Sequence, residues 1–193
     1  MKSSKFLTIL GYVLKCAISV SGVVFLIITF ASGEQGSKVW RSIATIVLPF
    51  LPDFLRLIGL KVSRRLEIWY YIFLIAALVV GMDLELYKHS YWYDKVVHGS
   101  SGTLMVFVAR EILEQASGNP DKLWFKALFA MGMVALSAVL WECFEFAADQ
   151  LLGQSMQQLI SVGVEDTMWD MISATTGGII GIVIAFPVKR VRK

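Results

Sequence analysis

The sequence predicts an all-α fold, a polytopic membrane helix bundle of about six transmembrane helices with the N and C termini both cytoplasmic. Three observations carry this expectation. Of 193 residues 56% are apolar and 17% charged, with a mean hydropathy of +0.66, whereas an ordinary soluble domain carries about 25% charge. A water-soluble enzyme is thereby excluded, because too much apolar surface would face water. Apolar runs near the roughly 20 residues needed to cross a bilayer recur along the chain. Finally, Lys and Arg are distributed by loop, as the positive-inside rule requires.

Taken in order, the first span is expected from Gly11 to Ala31, with Lys15 placed to snorkel to the interface. The start Met1-Lys2-Ser3-Ser4-Lys5 resembles a signal peptide, but the run to Phe30 is long and no small-residue cleavage site ends it, so it is read as a retained span. The segment Ser42 to Leu60 holds Pro49, Pro52, Asp53 and Arg56; it predicts a kinked or broken second span, or a re-entrant hairpin. Leu66 to Leu84 is a third span with Trp69, Tyr70 and Tyr71 as an interfacial belt. Val96 to Leu113 is a fourth, more polar where His98, Ser100, Ser101 and Thr103 open it. Ala127 to Ala148 is a fifth, apolar until Glu142 and Glu145. Trp169 to Val188 is a sixth, with Gly177 and Gly181 in the small-xxx-small spacing that lets helices approach closely.

Six spans place Lys2, Lys5, Lys61, Arg64, Arg65, Arg110, Lys122, Lys126, Lys189, Arg190, Arg192 and Lys193 inside, against Lys38, Arg41, Lys88 and Lys95 outside, with no basic residue in the connection from Asp149 to Met168. That bias selects the six-span layout; the spans use most of the chain, so one integral membrane domain over residues 1–193 is expected, without a soluble module. The net charge of +3 is spread over loops, so no nucleic-acid face is predicted. Cys16 and Cys143 lie inside apolar runs and are read as reduced packing residues.

With this orientation nearly all acids near the spans fall at the outer end. Asp94 and His98 are spaced i,i+4; Glu142, Glu145 and Asp149 are i,i+3,i+7; Asp166 and Asp170 are i,i+4. Each set shares a helical face, and carboxylates in a bilayer usually face a cavity or a partner. Lys88 and Lys95 are the nearby outer cations. Packing these acids together calls for a bound cation, shared protons or water. Oxygen-rich sites with one imidazole suit divalent ions, and helical bundles build metal sites from facing Asp, Glu and His. The expected ligands are Asp94, His98, Glu142, Glu145, Asp166 and Asp170, with Glu142 and Glu145 also as catalytic carboxylates. Blander roles stay open: Asp94 and Asp166 fit as first-turn acids facing a helix N-terminus, and His98 as a hydrogen-bonded interior histidine. Asp83, Glu85, Asp149 and Glu165 read as solvated interface charges, His89 as an interfacial residue, and Asp53 with Arg56 as a structural pair. For Arg110 and Glu111, snorkelling or an ion pair suffices. Phosphate-loop, nucleophile-elbow and zinc-protease motifs are absent, and no internal repeat supports an inverted-repeat transporter.

The ordered motifs Tyr93-Asp94-Lys95-x-x-His98, Arg110-Glu111-Ile112-Leu113, Glu142-x-x-Glu145 and Asp166-Thr167-x-Trp169-Asp170-Met171 resemble those of the YjdF-like bacterial inner-membrane proteins, a family of unknown function. The resemblance covers about the last hundred residues in motif and the first half mainly in hydropathy. It implies a multi-pass inner-membrane location and these site residues, and supplies no reaction.

The leading functional expectation is an outer-face site that binds a divalent cation and supports metal-assisted hydrolysis or transfer on a lipid or lipid-linked substrate. The alternatives are a proton- or cation-coupled transporter, and a non-catalytic assembly subunit or oligomer packed through Gly177 and Gly181.

Overall fold

A helix that is apolar around its whole circumference has no face to turn to water, and such helices dominate this chain. The protein, seen in a computed structural model, is described over residues 2–33, 36–116, 122–152 and 163–187. Helix α1 spans Lys2–Ala31, α2 Ser37–Val47 and α3 Leu51–Leu57, the last two joined by a 3-10 turn over Leu48–Phe50. Helix α4 spans Arg64–Leu74 and continues as a π-helix over Ile75–Asp83; the short α5 is Leu86–His89, α6 Tyr91–Gln115, α7 Leu123–Leu152 and α8 Val164–Ala185. No strand occurs among the described residues. Four segments are long and apolar enough to cross a membrane: Lys5–Ala31, Arg64–Asp83, Leu123–Leu151 and Val164–Ala185. They match the first, third, fifth and sixth expected spans. Helix α6 has the length of a span, but its first half is too polar to rank with those four.

The surface and interior are inverted relative to a soluble protein. Large apolar side chains such as Phe6, Ile27, Trp40, Leu128 and Val183 are exposed, while Ser42, Thr45, Glu67, His98, Asp166 and Asp170 are buried. This is the pattern of a chain dissolved in lipid, where polar groups must find partners inside.

The helices group into two compact units, residues 1–97 with 150–154 and residues 98–149 with 155–193, with the boundary inside α6. In the first unit α1 packs on α2 and α4. Gly22 of α1 meets Ile46 and the Ser42 carbonyl so closely that a Cβ there would stand 2.8 Å from the Ile46 side chain. Ile18, Tyr71, Leu74 and Leu78 form the apolar core. At one end of this unit Glu67, 2% exposed, is fully matched. Arg56 donates to both its oxygens at 3.1 and 2.8 Å, Arg64 donates to Oε2, and Tyr71 donates its hydroxyl to Oε1 at 3.1 Å. Arg56 also pairs with Asp53 at 3.1 Å, and Asp53 with Lys15 of α1 at 2.8 Å. The expected Asp53–Arg56 pair is thus one edge of a network tying α1, α3 and α4.

The second expected span, Ser42 to Leu60, is a broken helix: Pro49 and Pro52 lack the N–H groups a continuous helix needs, and the chain takes a 3-10 turn there. The π-helix also has a local explanation. Its wider winding carries a bond from the Leu84 N–H to the Val79 carbonyl at 2.8 Å, and the Tyr93 hydroxyl donates to the Ala76 carbonyl at 2.8 Å, satisfying a backbone group that lipid cannot.

In the second unit Val106, Ala109, Ala130, Val134, Ala138, Ala174 and Ala185 form a core of small residues, which lets backbones come close where lipid offers no hydrophobic drive. The closest approach is between α6 and α8. A Cβ on Gly102 would fall 1.9 Å from the Ala174 carbonyl oxygen, and one on Gly177 would fall 1.8 Å from that of Gly99; Gly181 lies against Val106 and Thr103. Here the structure corrects the expectation that Gly177 and Gly181 offer a face to a second chain. Both are buried against α6 of the same chain, so that face is already used. Asp149 is also corrected: it is buried, 7% exposed, not solvated. Cys16 and Cys143 are free, as expected, but exposed on the apolar surface and not packed in a core. Residues 153–162 of the connection from Asp149 to Met168, and the basic residues Lys189 to Lys193, lie outside the described residues.

Candidate metal centre

Helices α6 and α8 bring the site together through the same contact line that their glycines create. On α6, His98, Gly99, Gly102 and Thr103 fall on neighbouring turns of one face, and on α8 Asp170, Ala174, Gly177 and Gly181 recur at i, i+4, i+7 and i+11. The Thr103 hydroxyl donates to the Gly177 carbonyl at 2.8 Å across this line. One end of it holds His98 and Asp170, with Nε2 and Oδ1 3.6 Å apart. Asp94 precedes His98 by one turn on the same unbroken helix, so its place follows from that of His98.

One ligand-capable atom each from Asp94, His98 and Asp170 lies within 4.8 Å of the other two. Two ligands on one cation at the usual bond lengths of about 2.0–2.6 Å can be no more than about 4–5 Å apart, so the set has the span of a single ion. Asp170 is 2% exposed and His98 9%, which removes competing water. Two carboxylates and an imidazole suit Mn, Fe or Zn as well as harder ions.

Lys95 sits beside this group. It is buried, its Nζ lies 3.0 Å from Asp94 Oδ2, and it stands over the Tyr91 ring at 4.6 Å from the centroid. The ammonium offsets one carboxylate charge of the group. The sequence marks Lys95 as an outer cation and not as a member of the site; its place directly after Asp94 was the available signal. Gly99 and Gly102, which set the α6–α8 distance, were missed too, although their i,i+3 spacing mirrors the small residues noticed on α8.

Of the six expected ligands, Asp94, His98 and Asp170 come together. Glu142, Glu145 and Asp166 are buried in the same unit, at 7%, 8% and 2% exposed, but among the described residues they do not join that group. Trp141 donates its indole N–H to Glu145 Oε1 at 2.8 Å.

The fold and site define a polytopic helical membrane protein with buried acids and a histidine inside an apolar shell. The family described as "Predicted membrane protein (DUF2238)" matches residues 13–190, and the chain belongs to it. An uncharacterized protein of Thermotoga maritima is 31% identical over 94 residues, which is 49% of this chain and 47% of that protein. The matched part thus spans about half the length of that relative. No solved structure matches the chain. The resemblance to a membrane family without an assigned reaction is borne out.

Proposed function

We propose that this membrane protein binds a divalent cation at Asp94, His98 and Asp170. The single observation behind this reading is the trio of ligand atoms within 4.8 Å of one another, with His98 and Asp170 buried and Asp94 partly buried. From such a site the ion acts as a Lewis acid. Glu142 and Glu145, carboxylates buried on α7 of the same unit, are the groups to serve as general base in hydrolysis or transfer on a lipid-linked substrate at the extracytoplasmic face. The positive-inside count favours that face, because it assigns the start of α6 to the outside.

Elemental analysis of protein purified in mild detergent tests the proposal, with wild type beside His98→Ala and Asp170→Asn. Near-stoichiometric metal in wild type and its loss in both variants is the expected result. Wild-type protein that stays metal-free after reloading would overturn it. A second reading, cation- or proton-coupled transport, draws on the broken helix at Leu48–Phe50, since discontinuous helices line ion sites in transporters. Ion flux into proteoliposomes that depends on Asp94 and Asp170 would select transport over catalysis.

A further inference from the structure

At the end of the second unit where α6 and α8 finish and α7 begins, Arg110, Leu113, Glu114, Lys126, Ala185 and Phe186 line a cavity of about 170 Å³. We infer that this cavity seats the phosphodiester headgroup of an anionic phospholipid. The inference is independent of the metal site, which uses the opposite end of α6.

Four observations support it. The space is a half-open cleft, with Leu113 and Ala185 buried beneath it, while the rim charges Arg110 and Glu114 are 44% and 51% exposed. Arg110 is held in place: its Nε donates to Glu114 Oε1 at 2.7 Å and its Nη1 to the Ala185 carbonyl at 3.4 Å. Two cations and one carboxylate leave one positive charge, the complement of a phosphodiester. One water needs about 10–15 Å³ of such space, so about 170 Å³ has room for a phosphate group.

The position selects a lipid over a soluble anion. Two spans meet the interface here, since Leu123–Leu151 begins and Val164–Ala185 ends beside the cavity. Outside it Trp124, Phe125, Val183 and Ile184 are exposed apolar side chains, against which acyl chains can lie while the headgroup enters. Trp124 and Phe125 pair edge to face at 5.8 Å, as side chains do in an interfacial belt. Lys122, directly before α7, adds an exposed basic residue at this end. Basic pockets between spans on the cytoplasmic side recognise anionic headgroups, and the positive-inside count assigns this end to that side.

The test uses the full chain, delipidated in mild detergent, with short-chain phosphatidylglycerol, short-chain phosphatidylcholine and inorganic phosphate as probes, read by native mass spectrometry and thermal shift. Wild type should take up one phosphatidylglycerol at least tenfold more tightly than phosphatidylcholine. Lys126→Gln and Arg110→Gln should each weaken that preference, and the double variant should abolish it. Arg65→Gln, an exposed cation of the first unit, should leave it unchanged. Arg110→Lys, which keeps the charge, separates loss of binding from loss of fold and should retain most of the preference. Equal binding of the two lipids, or an equal loss in Arg65→Gln, would overturn the inference. Competition by phosphate at concentrations comparable to the lipid would overturn the lipid assignment in favour of a free anion.

Discussion

Gly177→Ala adds one methyl group at the closest approach of α6 and α8. Its Cβ would stand 1.8 Å from the Gly99 carbonyl oxygen, whereas real Cβ atoms are essentially never closer than 3.0 Å. The obstacle is backbone on a helix and cannot rotate aside, so the helices must part by about 1.2 Å at this level. Overpacking of this kind costs about 1–3 kcal/mol, and the Thr103 bond to the Gly177 carbonyl, worth about 0.6 kcal/mol in a membrane interior, is stretched as well. The expected loss is about 2–3 kcal/mol. Parting the helices also draws Asp170 away from His98, now 3.6 Å apart, so the proposed metal binding should weaken. The assay is unfolding in mild detergent titrated with SDS, followed by tryptophan fluorescence, with metal content measured in parallel. Gly132→Ala is the reference: a Cβ there meets nothing within 4 Å, and replacing a mid-helix glycine should stabilise by about 0.5–1 kcal/mol. Equal midpoints for the two variants would refute the close-packing argument.

Glu67→Ala should destabilise by about 3–5 kcal/mol, since it strands two arginines and a tyrosine around an emptied site; the same SDS titration checks this, and a change under about 1 kcal/mol would refute the network's role. Thr103→Val keeps the shape and removes the interhelical bond, so a loss of about 0.6 kcal/mol is expected, measured as a double-mutant cycle with Gly177→Ala. Lys95→Met should alter metal affinity without releasing the metal altogether, because Lys95 pairs with Asp94 and is not itself one of the three ligands; complete metal loss would make Lys95 essential to the site. The Glu85 carboxyl is held below its usual value by the Lys88 hydrogen bond, against a smaller opposing effect of burial, with Lys38 and Arg41 adding to the downward shift. Its contribution to stability is therefore present above the ordinary carboxyl pKa and fades as pH falls through the lowered one. Melting temperatures from about pH 6 to about pH 3 should fall less steeply in Glu85→Gln than in wild type, and equal slopes would refute this contribution.

Several features are legible in the order of the amino acids. Charge content, hydropathy and run length are local or additive quantities, and they identify a helical membrane protein and the approximate helices. Pro49 and Pro52 mark the break near Leu48–Phe50 because a missing N–H acts where it stands. The i,i+4 spacing of Asp94 and His98 puts both on one face because that periodicity belongs to a single helix.

What the sequence alone determined was therefore the class of protein, the rough extent of its helices and the set of acids among which a site was to be found. The tertiary structure decided which acids meet. It joined Asp94 and His98 to Asp170, left Glu142, Glu145 and Asp166 outside that group, and turned Gly177 and Gly181 inward onto α6 instead of outward to a partner. It also linked Lys15 and Arg64 into the Asp53–Arg56–Glu67 network. The physical reason is that contacts between helices depend on their rotation and axial offset. In water a polar face would fix the rotation, but in lipid an apolar face points outward as readily as inward. Only the fit of Gly99 and Gly102 against Ala174 and Gly177 settles the alignment that brings His98 to Asp170.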